Sequence, residues 1–250
     1  QVQLGNSRYQ DAKEEELLKL FAAQRPAGLV VAGLDQSPRA REILSGLGCP
    51  VVQIMDVGPD PIDMVVGFDH RKAAQTATRH LIEQGYRRVG FIGGRMDPRS
   101  QRRLQGYVDA VVEADLYDEA LILTSPQPTS VSHGSRMFSD FLAMAPDADA
   151  VFCNNDDMAL GALFECQRRR IRVPDQFGIM GYNDIEYVSA SAPSISSVRT
   201  PRYEMGRGAI EMIVAAARGE RPERAVVDLG FDLIRRQSTD RLAGRLREAG

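Results

Sequence analysis

Along most of the chain, short apolar runs alternate with segments whose apolar residues recur every three to four positions. The first kind reads as buried strand and the second as amphipathic helix. Residues 11–24 (DAKEEELLKLFAAQ) carry a Leu/Phe stripe at helical spacing, stopped by Pro26 and Gly28. GLVVAG (28–33) is a short buried run, 38–46 a helix, and PVVQIM (50–55) and MVVGF (64–68) are two more strands. A helix over 70–84 stops at Gly85, RVGFIGG (88–94) is a strand, and 99–114 is helical. LILT (121–124), a helix near 132–144, AVFCN (150–154), a helix in DMALGALFECQRR and the strand FGIMGY (177–182) follow. A helix over 203–218 ended by Gly219, then the strands VVDLG and FDLIRR, close the series. The opening QVQLGNSRY alternates apolar and polar residues and is predicted to be a strand from the middle of a fold. Further chain upstream of Gln1 is therefore expected.

Continuous apolar strands separated by amphipathic helices predict an α/β fold with parallel sheets covered on both faces. The units are too many for one compact sheet, so two Rossmann-like subdomains are expected. Pro, Gly and Ser cluster in VGPDPIDM (57–64) and SSVRTPR (196–202). Both stretches read as links, the second where the chain crosses back to the first subdomain. In such sheets ligands sit beyond the carboxyl ends of the strands. Asp35, Asp56, Asp69, the Arg95–Arg103 segment, Asn154–Asp157 and Asn183–Asp184 all fall at that end. Two such edges facing one another predict a central cleft, the usual place for a small ligand.

Composition narrows the class. A 43% hydrophobic and 26% charged chain is not disordered. No run approaches a membrane span, and no signal-peptide pattern is present. The net charge of −3 is interspersed, without a basic stripe, so this stretch alone is not expected to grip nucleic acid. Cys49, Cys153 and Cys166 are odd in number and lie in apolar surroundings. They read as buried thiols of a reducing, cytoplasmic compartment, without the spacing of a zinc site.

The candidate chemistry is polar and positive. In FCNNDDMALGALFECQ (152–167), Asn155 stands at a strand tip, where an amide can both donate to and accept from sugar hydroxyls. Asp156 or Asp157 is expected to cap the following helix; the alternative is that all four polar residues are turn and cap residues. GRMDPRSQRR sets Arg95, Arg99, Arg102 and Arg103 at a helix start, against the helix dipole, where a bound anion would offset the charge. Arginine can clamp a carboxylate with two parallel hydrogen bonds. In GYND, Asn183 either serves a ligand or simply occupies a left-handed turn. Asp35 of GLD, with Phe68 and Asp69 of FDH, lines the first subdomain's edge, where capping the next helices is the alternative role. His80 lies in a packed helix and His70 begins one. No nucleophile elbow, metal set or GxGxxG cofactor loop is evident, so neither an enzyme nor a cofactor is expected.

VGFDHRKAAQTATRHLIEQGYRRVGFIGG, the Arg–Leu–Gln–Gly–Tyr of 103–107, NDDMALGA, VPDQFGIMGYNDIEY, PSISSVRTPRYEMG and RRQST follow in order over nearly the whole chain. Together they resemble the effector-binding core of LacI/GalR-type bacterial transcriptional repressors. VVQIMD, FCNNDD, FECQ, TPRYEMG and VDLGF are similar to the gluconate-operon branch of that family. The resemblance implies a type I periplasmic-binding-protein-like fold. It divides the chain into an N-terminal subdomain (1–69 plus 200–229, without its first strand and helix) and a C-terminal one (70–199 plus 230–250). It also implies a homodimer, operator DNA bound through a helix-turn-helix domain absent from this chain, and a sugar or sugar-acid effector such as gluconate or a keto-gluconate. Arg103 and Asn155 match ligand-contacting positions, Arg99 and Arg202 match neighbouring pocket positions, and His133 lies near a loop over the cleft. Asn183 departs from the Asp of many relatives. A periplasmic sugar-binding protein of a transporter, which shares this fold, is the alternative.

Overall fold

The computed structural model describes residues 1–221 and 224–241. The last part of the expected C-terminal subdomain, 242–250, lies outside them. The chain forms two compact units, Gln1–Asp69 with Pro201–Gly230, and His70–Thr200 with Phe231–Gly250.

The first unit is a four-stranded parallel sheet in the order β1 (Leu29–Ala32), β2 (Val51–Ile54), β3 (Met64–Gly67), β9 (Val226–Asp228). Successive strand residues point to opposite faces, and the helices use both. Val31 and Val51 pack against Leu18 of α1 (Asp11–Ala23) and Ala40 and Leu44 of α2 (Pro38–Ser45). Val52, Met64 and Val66 pack against Ala209 and Met212 of α8 (Arg202–Ala217) on the other face. Helix α2 starts where the sequence directs, with Pro38 in its first turn and the Ser37 hydroxyl accepting the Ala40 N–H at 3.0 Å.

The second unit is a six-stranded sheet in the order β10 (Asp232–Ile234), β8 (Ser196–Arg199), β7 (Gly178–Asn183), β6 (Ala150–Cys153), β4 (Val89–Gly94), β5 (Ile122–Ser125). Its helices are α3 (His70–Glu83), α4 (Pro98–Glu113), α5 (Val131–Met144), α6 (Asp156–Arg169) and the short α7 (Glu186–Ala190). Phe138 and Phe141 of α5, Leu163 of α6, Phe177 just before β7 and Ile179 within it belong to its core. Truncating one such Phe to Ala typically costs about 3–5 kcal/mol.

Four sequence expectations need correction. Gln1–Tyr9 is not a strand: Val2 and Leu4 are 87% and 96% exposed, and Arg8 and Tyr9 take left-handed turn conformations. Gly5, Asn6 and Ser7 interrupt the alternation before a ladder can form. The β1 run lies at a sheet edge, so only Val31 within that strand is buried. The 196–202 link contains strand β8, which runs between β7 and β10, and β10 pairs antiparallel to it in an otherwise parallel sheet. Cys153 and Cys166 are buried, but Cys49 is only half-buried.

Candidate functional site

Strand ends of the second unit gather the polar residues. Asn154, buried just past β6, donates from its amide nitrogen to the Gly94 carbonyl at 2.7 Å and to the Ser100 hydroxyl at 3.1 Å. Its amide oxygen accepts the Gly94 N–H at 3.2 Å. A side chain here continues the β4–β6 pairing beyond its last backbone rung and ties it to the first turn of α4.

Arg103 lies one turn further along α4 and is only 8% exposed. Its Nη1 donates to the Asn154 carbonyl at 2.7 Å, its Nε donates to His70 Nδ1 at 3.3 Å, and its Cζ stands 4.0 Å above the Tyr182 ring. Arginine only donates, so Nδ1 is the acceptor and the imidazole carries its proton on Nε2. The Tyr182 hydroxyl donates to the same Nδ1 at 2.9 Å. None of these three partners is an anion. Burial accordingly holds the guanidinium pKa below its ordinary value, with Tyr182 and Asp97 opposing the shift.

The arginine-rich first turn of α4 is partly balanced from within. Asp97 caps the helix by accepting the Arg99 and Ser100 N–H groups at 3.0 and 3.1 Å. Its carboxylate also stands 3.8 Å from Arg99 Nε. Asp97 thus supplies negative charge that the sequence pattern assigns to a ligand alone.

At α6 the capping expectation is corrected: Asn155, not Asp156 or Asp157, is the cap, its side-chain oxygen accepting the Met158 N–H at 3.0 Å. Asp156 instead points inward and is fully buried. Desolvation raises its carboxyl pKa to about 6. Asn183 ends β7 with φ 110°, followed by Asp184 at φ 54°, so the left-handed turn is present. The Asp184 carboxylate is held by Arg199 at 2.8 Å and Arg236 at 2.7 Å.

Arg99, Arg103, Asn155 and Asn183 therefore share the carboxyl edge of one sheet. The remaining four candidates belong to the first unit. Asp35 is exposed just after β1, Phe68 is buried and Asp69 half-buried just after β3, and Arg202 is exposed at the first position of α8. Sequence reading missed Asn154, His70 and Tyr182 as the support of Arg103. The ring pair lies 112 positions apart, and only the strand order of the fold brings it together. His80 and His133 are buried in α3 and α5. Among the described residues, no group of three or more His, Cys, Asp or Glu side chains is arranged to hold a metal.

Residues 78–239 match the periplasmic binding protein-like domain. The HTH-type transcriptional regulator GntR of Pseudomonas aeruginosa is 37% identical over 239 residues, 96% of this chain and 70% of that protein. The crystal structure of transcription regulator GntR from Chromobacterium violaceum is 39% identical with a TM-score of 0.93, covering 96% of this chain and 88% of that one. A LacI-family transcriptional regulator from Silicibacter pomeroyi matches with a TM-score of 0.91 at 30% identity, over 96% of this chain and 73% of that one. These relatives are transcriptional regulators, not enzymes, and they do not favour the transporter component. With such matches over almost its whole length, the chain belongs to the LacI family of transcriptional regulators and carries their periplasmic-binding-protein-like core.

Proposed function

We propose that the chain is the effector-sensing and dimerisation core of a cytoplasmic repressor whose effector is a small sugar acid such as gluconate or a keto-gluconate. Arg103 clamps the acid's carboxylate, with Arg99 adding charge, while Asn155 and Asn183 read the hydroxyls. Arg202, which matches a pocket position of the family, and Asp35 and Asp69, which can bond hydroxyls, with Phe68 beside them, are the candidates of the first unit. The effector changes operator DNA binding through its unequal affinity for two conformations of a homodimer, since only that difference shifts a population. A helix-turn-helix domain ahead of this core, as the name of the Pseudomonas relative implies, is the DNA-binding part.

One observation carries the reading: the buried Arg103 guanidinium makes its contacts to a carbonyl, an imidazole and a ring face, none of them anionic. A buried cation is unfavourable without a counter-charge, and a carboxylate ligand supplies one with two parallel hydrogen bonds. Calorimetric titration of gluconate against glucose tests it. Gluconate is expected to bind more tightly, and Arg103→Met to weaken it by about tenfold or more. Equal or tighter binding of glucose would overturn the reading.

A further inference from the structure

We propose that Asp156 is a positioning residue of the candidate ligand site, its carboxylate pinning the turn that carries Asn183, and strand β8 with it, to the N-terminus of α6. The inference rests on reading Asn155 and Asn183 as ligand-contacting residues. Asp156 directly follows Asn155, and no part of it is exposed. Its Oδ2 accepts the Ile185 N–H at 2.9 Å and its Oδ1 accepts the Ser197 hydroxyl at 2.7 Å. The Ser197 oxygen in turn accepts the Asp184 N–H at 3.1 Å. Strand β7 passes so near that a Cβ on Gly181 would sit 2.3 Å from Oδ1. Only glycine permits that approach.

Two features make this more than packing. Asn183 and Asp184 are consecutive left-handed residues, and such conformations persist in residues with a Cβ only where neighbours over-determine them. The N–H groups that follow them, of Asp184 and Ile185, are anchored through Ser197 and Asp156. The carboxylate is also held by neutral donors, while the Asp184 carboxylate, itself paired with Arg199 and Arg236, repels it. Desolvation by itself disfavours a charge at this position. An amide, however, points an NH₂ group at either Ile185 N–H or Ser197 O–H, both of which need an acceptor. A carboxylate serves both and fixes where Asn183 stands relative to Asn155.

Asp156→Asn keeps the shape and removes one acceptor. Titration of wild type and variant with D-gluconate between pH 5 and 8 is the test, together with amide hydrogen exchange of the free proteins. The variant is expected to melt no lower than wild type at pH 7.5, yet to bind gluconate about tenfold more weakly. As pH falls through about 6, wild-type affinity is expected to approach that of the variant, because protonation turns one oxygen into a donor. The groups facing Asp156 are the Cys153 thiol, kept protonated by burial, the Tyr182 backbone, Asp184 with its two arginines, and the Ser197 hydroxyl. His70, which touches Tyr182, is common to both proteins, so their affinity ratio isolates Asp156. In the variant, the Asp184 and Ile185 amides are expected to exchange at least about tenfold faster, as is the Asp184 amide in Ser197→Ala. Equal gluconate affinity at every pH, or unchanged exchange, would overturn the proposal. If wild type binds no sugar acid, the effector reading falls, and exchange alone decides whether Asp156 pins the turn.

Discussion

Two buried titratable residues of the second unit pull its stability in opposite directions across the same pH range. Folding raises the Asp156 pKa from 3.8 to about 6, mainly by desolvation. The folded state therefore holds a proton that the unfolded chain releases, and this contribution falls as pH rises from about 4 to 6. His80, donating to or accepting from Thr239 Oγ1 at 2.8 Å, is lowered by burial from 6.5 to about 4. Below pH 6.5 the unfolded chain takes up a proton that the folded one refuses, so this contribution falls as pH drops toward 4. Each effect is on the order of 3 kcal/mol at full extent. Urea midpoints measured from pH 4 to 7.5 are expected to fall more steeply toward acid in Asp156→Asn than in wild type. They are expected to fall less steeply in His80→Asn; parallel curves for all three proteins would refute the assignment. The sequence placed His80 in a packed helix but did not announce Asp156: NNDD looks alike whether solvated or buried, and its burial is decided by strands far away in the chain.

Strand β8 is held by hydroxyls as well as by its buried Val198. Ser196 Oγ accepts the Arg236 N–H at 2.8 Å, and Ser196 N–H donates to Ser238 Oγ at 2.8 Å. Ser238 Oγ donates onward to the Ile179 carbonyl at 2.6 Å, and Thr239 Oγ1 lies 2.7 Å from Ser196 Oγ. The RRQST motif is thus a clasp across β7 and β8, with Gln237–Thr239 in a 3₁₀ turn. Ser238→Ala leaves the Ser196 N–H and the Ile179 carbonyl without this partner, so a loss of about 1–3 kcal/mol is expected in thermal or urea unfolding. A neutral result would show that the clasp carries no stability. The elements with apolar runs or amphipathic stripes were legible from the chain, because burial on both faces leaves a pattern no loop shares. SSVRTPR was not, since Ser in a buried strand is indistinguishable from Ser in a turn until its partners are known. The direction of β10 was hidden for a like reason, as pairing sense leaves no mark on composition. At the candidate site, Arg103 and Asn155 were legible as motif positions, whereas the support of Asn154, His70 and Tyr182 required the fold.

At the scale of the whole molecule, each unit is assembled from separated stretches of chain. Helix α8, on the far side of the sequence from β2 and β3, covers one face of the first sheet, and β9 completes its edge. The 3₁₀ turn and β10 do the same for the second unit. A fragment ending at Thr200 is therefore expected to lose protection in both units at once, with rapid cleavage by a low dose of protease across 1–69 as well as 70–200. Survival of a resistant core in the first unit would contradict this. The same arrangement governs events on the ribosome. Neither half can close its apolar surfaces as it emerges, because residues that seal each one lie beyond Thr200 in the chain. The nascent polypeptide must stay soluble, with Val52, Met64 and Val66 uncovered, until the closing segment clears the exit tunnel. Its dependence on holding chaperones should therefore be set by the rate at which the codons of that closing segment are read.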